Sequence, residues 1–269
     1  PVCTHNIWGG TRLNREFGYP IEGDDIGECW GISAHQSGDG TVASGAYKGM
    51  KLSELWEKHP GLFGDTGMDR FPLLVKIIDA KDDLSIQVHP DDAYAKVHEN
   101  GSLGKTECWF ILDCKENATL VVGHNAKTKE ELEQMIHEGR WKEFIREIPI
   151  KPGDFIQIDP GTVHAIKGGT LLLETQQSSD ITYRVYDYDR LSNGKPRQLQ
   201  IVQSIDVITV PAKSADNSVV HTEKKDDAIQ QLIQCPYYTV YRIDVEHRVE
   251  TWQDKPFALM SVVEGEGTL

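Results

Sequence analysis

The 269-residue sequence holds only five cysteines, Cys3, Cys29, Cys108, Cys114 and Cys235, and no two of them stand in a CxxC spacing. An odd, scattered set excludes a disulfide framework and a cysteine zinc knot, and leaves free, buried or half-buried thiols as the expectation. Excess basic charge is also missing. Lys and Arg number 28 against 42 Asp and Glu, a net charge of −14, which repels nucleic acid and anionic membranes unless a local basic patch intervenes; none is visible. No window approaches the roughly 18 consecutive apolar residues of a membrane span. The chain opens at Pro1 in polar sequence rather than in a signal peptide. A cytoplasmic protein with neither nucleic-acid nor membrane partners is expected. Internal repeats and low-complexity tracts are absent as well. Two familiar motifs fail on single residues. His98 and His137 each begin HE, but Ser102 and Trp141 stand where HExxH needs its second histidine, and Glu99 occupies the first glycine position of a phosphate loop ending in GKT (104–106). The NAT sequon at 117–119 is set aside as a chance three-residue match.

What is present reads mainly as short strands punctuated by Gly, Pro, Asn and Asp: LLVKII (73–78), LSIQVH (84–89), TECWFILD (106–113), ATLVVG (118–123), FIQI (155–158), TLLLETQ (170–176) and ITYRVYDY (181–188). Their spacing predicts a mainly β fold, a sandwich or barrel. Helices are expected at 51–59, 91–99, near 197–206 and from Thr128 to about Arg146, where Thr128 and Glu131 form a capping box and Leu132, Met135 and Ile136 recur at helical spacing before Gly139 interrupts. The linker SADNS (214–218) and the charged EKKDD (223–227) mark a boundary. The expected organisation is a catalytic unit at 1–211 with short helical insertions, and a smaller β unit at 212–269 that is incomplete, a strand partner lying beyond Leu269.

Four segments carry the chemistry: SIQVH (85–89), KTECW (105–109), PGTVH (160–164) and SDITYR (179–184). Strand side chains alternate, so Ser85, Gln87 and His89 share one face, Lys105, Glu107 and Trp109 another, and Asp180, Thr182 and Arg184 a third if that strand has no bulge. The turn at Pro160 and Gly161 delivers His164 at a strand start. Gln87, His89, Glu107 and His164 form a nitrogen and oxygen set suited to zinc or another borderline divalent ion, with a coordination position left open for water or substrate. Each residue also has a plainer reading: a hydrogen-bonded structural histidine, a buried Glu107–Lys105 salt bridge, a Gln87 that satisfies backbone groups, an Arg184 paired with Asp187 or Asp189. Glu107 argues hardest for the site, because an ionised carboxylate inside an apolar strand is costly unless paired or coordinated.

IWGG (7–10), GECWGIS (27–33), LSIQVHPDD (84–92), GKTECW (104–109), PGTVHAI (160–166) and SDITYR (179–184) occur in the order, and with the residues, of the type I phosphomannose isomerases, zinc enzymes of the cupin superfamily. The sequence resembles their short bacterial form over about the first 210 residues, and SVVEGEG (261–267) resembles the opening of the family's second cupin barrel. The resemblance implies a cupin jelly roll followed by a smaller cupin-like unit, and one Zn²⁺ per chain on His89, Glu107 and His164 with Gln87 as fourth ligand. It implies interconversion of mannose 6-phosphate and fructose 6-phosphate, with Arg184 as the active-site arginine and Ser85 as a phosphate contact helped by a basic residue that the sequence does not assign; Ser85, Lys105 and Arg184 are the substrate-binding candidates. Lys105, whose neutral amine a neighbouring dication would favour, and Asp180 are rival proton carriers. The family's long forms carry a proline where Thr106 stands and an extra helical domain for which this chain has no room, departures that bear on the shape of the pocket. Alternatives are a related cupin acting on another phosphosugar, a metal-dependent cupin oxidoreductase, and a sugar-binding protein. Oligomeric state is not legible.

Overall fold

Apolar residues at alternating positions build two facing sheets. The computed structural model describes residues 1–215, 219–222, 226 and 228–268; SADNS and EKKDD fall largely outside them. In chain order the strands are β1 (Val2–Gly10), β2 (Ile26–His35), β3 (Gly38–Asp39), β4 (Leu73–Ala80), β5 (Ile86–Val88), β6 (Glu107–Cys114), β7 (Thr119–His124), β8 (Ile145–Pro149) and β9 (Asp154–Ile158). There follow β10 (His164–Ala165), β11 (Thr170–Gln177), β12 (Tyr183–Tyr186), β13 (Leu191–Ser192), β14 (Lys195–Pro196), β15 (Val219–His221), β16 (Ala228–Gln234) and β17 (Thr239–Asp244). The larger sheet runs β15-β9-β6-β11-β4-β1-β2-β3 and the smaller β12-β5-β10-β7-β8, with β13–β14 and β16–β17 as separate ribbons.

The inner faces meet over Trp8, Ile78, Trp109, Ile111, Leu120, Val122, Ile156 and Leu172. The outer face of the smaller sheet is closed by α4 (Lys129–His137), α5 (Trp141–Phe144) and α6 (Ile201–Val207), which bury Leu132, Met135, Ile136 and Phe144 against Val88, Val121 and Val185. The β16–β17 ribbon covers part of the outer face of the larger sheet, placing Leu232 and Tyr238 on Cys108 and Phe155. Alternation along β6 thus holds as expected: Trp109 points inward and Cys108 outward. The three remaining helices are α1 (Arg12–Arg15), α2 (Leu52–Lys58) and α3 (Asp92–His98). Among the described residues no helix is long and apolar enough to cross a membrane.

Three expectations are corrected. The helix that begins at Thr128, whose hydroxyl accepts from the Glu131 amide, stops at His137 rather than near Arg146. Gly139 takes φ +65, a left-handed conformation that ends helices, and the chain resumes as the short α5 and then the unforeseen β8. The long N-terminal strands β1 and β2 were missed because their glycines and polar residues break the alternation. Finally, Cys3 and Cys29 are joined as a disulfide rather than free. They stand opposite one another in the β1–β2 register with Cα atoms 4.0 Å apart, a tertiary pairing that their separation of 26 residues does not announce.

Candidate metal centre

The two sheets bring His89, Glu107 and His164 together at one end of the core. Glu107 opens β6 on the larger sheet, while His164 opens β10 on the smaller sheet directly opposite Gln87 of β5, and His89 follows the end of β5. Gly161 shapes the approach to His164: its φ is +80, and a Cβ there would lie 2.5 Å from Thr209 Oγ1. The three side chains are buried and their ligating atoms lie within 4.8 Å of one another.

Their hydrogen bonds fix which atoms face inward. His89 Nδ1 lies 2.8 Å from the carbonyl of Ile181, and His164 Nδ1 lies 2.8 Å from that of Thr162. A carbonyl only accepts, so both rings carry their proton on Nδ1 and present the Nε2 lone pair to the centre. The two Nε2 atoms are 3.1 Å apart, and each stands 3.3 Å from a Glu107 carboxylate oxygen. Neither Glu107 oxygen has a hydrogen-bond donor apart from the Lys105 ammonium, 2.7 Å from Oε2. Burial pushes His89 from its usual 6.5 to about 3, with Lys105 adding repulsion, and burial lowers His164 as well, so neither ring supplies a proton at neutral pH. Four lone-pair atoms therefore converge, none bearing a hydrogen of its own, at separations close to the roughly 3.3 Å of atoms sharing one tetrahedral zinc at 2.0–2.1 Å. The donor set fits a borderline divalent cation.

Because both rings have depressed proton affinity when folded, their neutral state contributes stability that is complete above the unfolded value of 6.5 and is lost as pH falls, for His89 toward about 3. Metal-free protein is thus expected to show a urea midpoint that declines through that window; a flat midpoint would mean that protons already reach the rings.

The other residues singled out in the sequence divide. Lys105 Nζ lies 2.7 Å from Glu107 Oε2 and donates to His89 Nε2 across 3.1 Å, so it sits beside these side chains as expected, although it precedes β6 and strand parity does not itself dictate its face. Burial alone would raise the Glu107 carboxyl, but Lys105 and the two imidazoles outweigh it and hold it well below the usual carboxylate range. Gln87 reaches the group with its amide nitrogen 3.3 Å from His164 Nε2, while its oxygen accepts from Ser85 Oγ at 3.3 Å. Rotating the amide by half a turn would put its oxygen where a fourth ligand belongs. Arg184 pairs with Gln87 in the β5–β12 register and so shares its face, and its Nε is buried without an acceptor. Asp180 is not brought to the group: β12 starts only at Tyr183, and the Asp180 side chain, 47% exposed, accepts from Ser37 Oγ at 2.8 Å and stands 3.7 Å from His35 Nε2. Asp187 is occupied by Arg190 and Arg197, not by Arg184.

A buried polar row behind the centre went unforeseen. Trp30, Lys76, Glu174 and Trp109 stand in register across β2, β4, β11 and β6. Lys76 Nζ is 3.0 Å from Glu174 Oε1 and 3.5 Å from Glu28 Oε2, Trp109 Nε1 donates to Glu174 Oε2 at 2.9 Å, and Lys105 Nζ is 3.8 Å from Glu174. Burial raises Glu174, and Glu107 adds to it. Burial would lower Lys76, but Glu174 and Glu28 reverse this and hold it charged. The signal was available in LLVKII and TLLLETQ, each an apolar strand with one charge inside it, the feature that marked Glu107.

The family model for the type I phosphomannose isomerase catalytic domain matches residues 1–102, and the mannose-6-phosphate isomerase cupin-domain model matches residues 228–269. Mannose-6-phosphate isomerase ManA of Bacillus subtilis (strain 168) is 53% identical over 270 residues, spanning 100% of this chain and 85% of ManA. Mannose-6-phosphate isomerase of Streptococcus mutans serotype c is 48% identical over 98% of this chain and 83% of its own. The crystal structure of mannose 6-phosphate isomerase from Bacillus subtilis superposes with a TM-score of 0.87 and 49% identity, covering 95% of this chain and 82% of that one. A zinc-bound mannose 6-phosphate isomerase shares the fold at a TM-score of 0.66 and 16% identity, over 87% of this chain and 79% of its own.

Proposed function

From the premise that this chain belongs to the type I mannose-6-phosphate isomerases, an enzyme family of cupin fold, we propose that it interconverts mannose 6-phosphate and fructose 6-phosphate on one zinc ion. His89, Glu107 and His164 would hold the ion, with Gln87 as fourth ligand. The observation that carries this reading is the convergence of two neutral imidazole nitrogens and two carboxylate oxygens, none bearing a hydrogen of its own. The zinc-bound relative of the same fold supports the choice of metal.

Bound zinc supplies a Lewis acid that polarises the substrate's oxygens and stabilises the negative charge of an enediolate. The chain's own residues do the rest. The Lys105 amine, in its neutral form, takes the proton from C2 of the open-chain aldose. The C2–H electron pair becomes the C1–C2 double bond, and the carbonyl π pair moves onto O1. A proton passes from O2 to O1, and Lys105 returns its proton to C1, which gives the ketose with no net gain or loss of protons. Arg184, with no acceptor for its Nε, adds fixed positive charge toward the enediolate. Burial and the nearby Arg197 lower Arg184 from its ordinary value, and a guanidinium stays charged at neutral pH. Ser85, which donates only the long bond to Gln87, is free to reorient to the phosphate. We also take residues 1–211 as the catalytic unit and 212–269 as a second cupin-like unit, within which the cupin-domain model matches residues 228–269. A cytoplasmic location goes with this substrate, since a sugar phosphate crosses no bilayer unaided.

The direct test is a coupled assay for fructose 6-phosphate formed from mannose 6-phosphate, run before chelation, after it, and after zinc is restored. Activity should fall by at least about 100-fold on chelation, the scale of several kcal/mol of charge stabilisation, and return with zinc. Undiminished turnover by protein stripped of zinc would overturn the metal's role, and no turnover by zinc-loaded, folded protein would overturn the substrate.

A further inference from the structure

Lys105 and Glu107 flank Thr106, and the backbone of this short segment is held from outside at every amide. Gly104 N donates to Asp92 Oδ1 at 2.7 Å, Lys105 N to the Pro90 carbonyl at 3.0 Å, and Thr106 N to Gln177 Oε1 at 2.9 Å. The approach is close: a Cβ on Gly104 would lie 2.5 Å from the Asp91 carbonyl carbon.

Gln177 has a special place in this arrangement. The β6–β11 register ends where Gln176 faces Glu107, and the next residue, Gln177, takes Thr106 at both ends: its own N–H donates to the Thr106 carbonyl at 3.0 Å while its side-chain oxygen accepts the Thr106 N–H. One residue thus closes the pair that two strands would otherwise form. Its amide nitrogen is held in turn, donating to Asp92 Oδ1 at 2.9 Å, and the other Asp92 oxygen accepts from the Tyr237 hydroxyl at 2.9 Å. The segment that carries Pro90 and Asp92 begins at the ligand His89, whose carbonyl accepts from Gly161 N, three residues before His164, at 2.9 Å. Gln177 is buried and touches none of the ligating atoms by any of these bonds.

We infer that Gln177, oriented by Asp92, is a positioning residue that sets Lys105 and Glu107 together against His89. The inference rests on the zinc-isomerase reading for its kinetic half and on the His89, Glu107 and His164 geometry for its metal half. The bland account, a glutamine that merely satisfies a buried backbone amide, affects stability alone; a positioning role also moves the ligand and the proton carrier. A shift of Thr106 displaces Glu107 on one side and Lys105 on the other, so metal affinity and turnover should fall together.

The test uses the full chain as wild type, Gln177→Met, Gln177→Glu and Asp92→Ala. Zinc affinity is read by competition with a chromophoric chelator, kcat and KM with mannose 6-phosphate, and folding by the thermal midpoint. For Gln177→Met we expect zinc affinity and kcat each to fall by about 10-fold or more, the scale typical of partners that orient metal ligands, with KM within about twofold because no substrate contact is removed. Gln177→Glu, which keeps an acceptor for Thr106 N–H, should recover part of both losses. Asp92→Ala, at a partly exposed position, should show a smaller fall in the same two quantities and keeps the test open if Gln177→Met does not fold. Zinc affinity and kcat unchanged in folded Gln177→Met or Asp92→Ala, with only the midpoint lowered, would overturn the inference. Should zinc-loaded wild type isomerise nothing while Gln177→Met still loses zinc affinity, the proposed function fails and the positioning of Glu107 stands.

Discussion

His164→Ala protein, folded and supplied with equimolar zinc, is expected to retain less than about one part in 10³ of wild-type turnover, because a metal's stabilisation of a developing anion is worth on the order of 4 kcal/mol. The His164 side chain is wholly buried, its ring held by the Thr162 carbonyl on one side and faced edge-on by Trp109 at 5.5 Å. Truncation removes one of the three side chains of the group and opens a cavity beside Gln87, which abuts the ring from β5. The measurement pairs zinc content by elemental analysis with the coupled isomerase assay over a zinc titration. Activity regained at high zinc would mean that affinity alone was lost. Activity still absent from metal-saturated variant would mean that the ion, once bound, sits wrongly. Wild-type turnover at equimolar zinc would remove His164 from the site.

The second large effect is expected at Lys105. Replacing it with methionine should lower kcat by about 10²–10⁴, the range for loss of a positioned proton-transfer group, while KM and zinc content change by only a few-fold. Electrostatics decide the conditions of the experiment. Without Lys105, the carboxylates of Glu107, Glu174 and Glu28 share only Lys76, which stands 3.0 and 3.5 Å from the latter two. Removing one partner of a buried charge pair costs about 3–5 kcal/mol, so metal-free Lys105→Met should be poorly stable. Zinc on Glu107 would offset that loss, so the variant has to be purified and assayed with the ion present. A folded, zinc-loaded Lys105→Met of normal kcat would transfer the proton-carrying role elsewhere.

The readable parts of this molecule are those decided by local pattern. Alternation in TECWFILD correctly put Trp109 and Cys108 on opposite faces, and the structure turns Trp109 inward and Cys108 outward. The cost of a carboxylate in that strand rightly marked Glu107 as paired or coordinated; the structure offers both at once, an ion pair with Lys105 and two imidazole lone pairs. Which strands lie side by side is a tertiary matter. Nothing local says that Cys3 faces Cys29, that Lys76 and Glu174 stand in one row behind the ligands, or that Gln177 reaches Thr106. Asp180 shows the limit of parity: counting by twos put it beside Arg184, but the strand begins after it, and a residue in a loop obeys no two-residue period.

The placement of the ligands on opposite sheets has a kinetic corollary. His89 and His164 are 75 residues apart in sequence, and Glu107 reaches them from the facing sheet. No short fragment of the chain carries the coordination shell, and contacts of such span form late in folding, after the loops between them have closed. An ion captured only by the finished sandwich leaves the folding rate as it is and raises the barrier to unfolding. Zinc would thus act on the lifetime of the folded enzyme more than on its route to the fold, and a cell short of the metal would lose this protein by attrition rather than by failed synthesis.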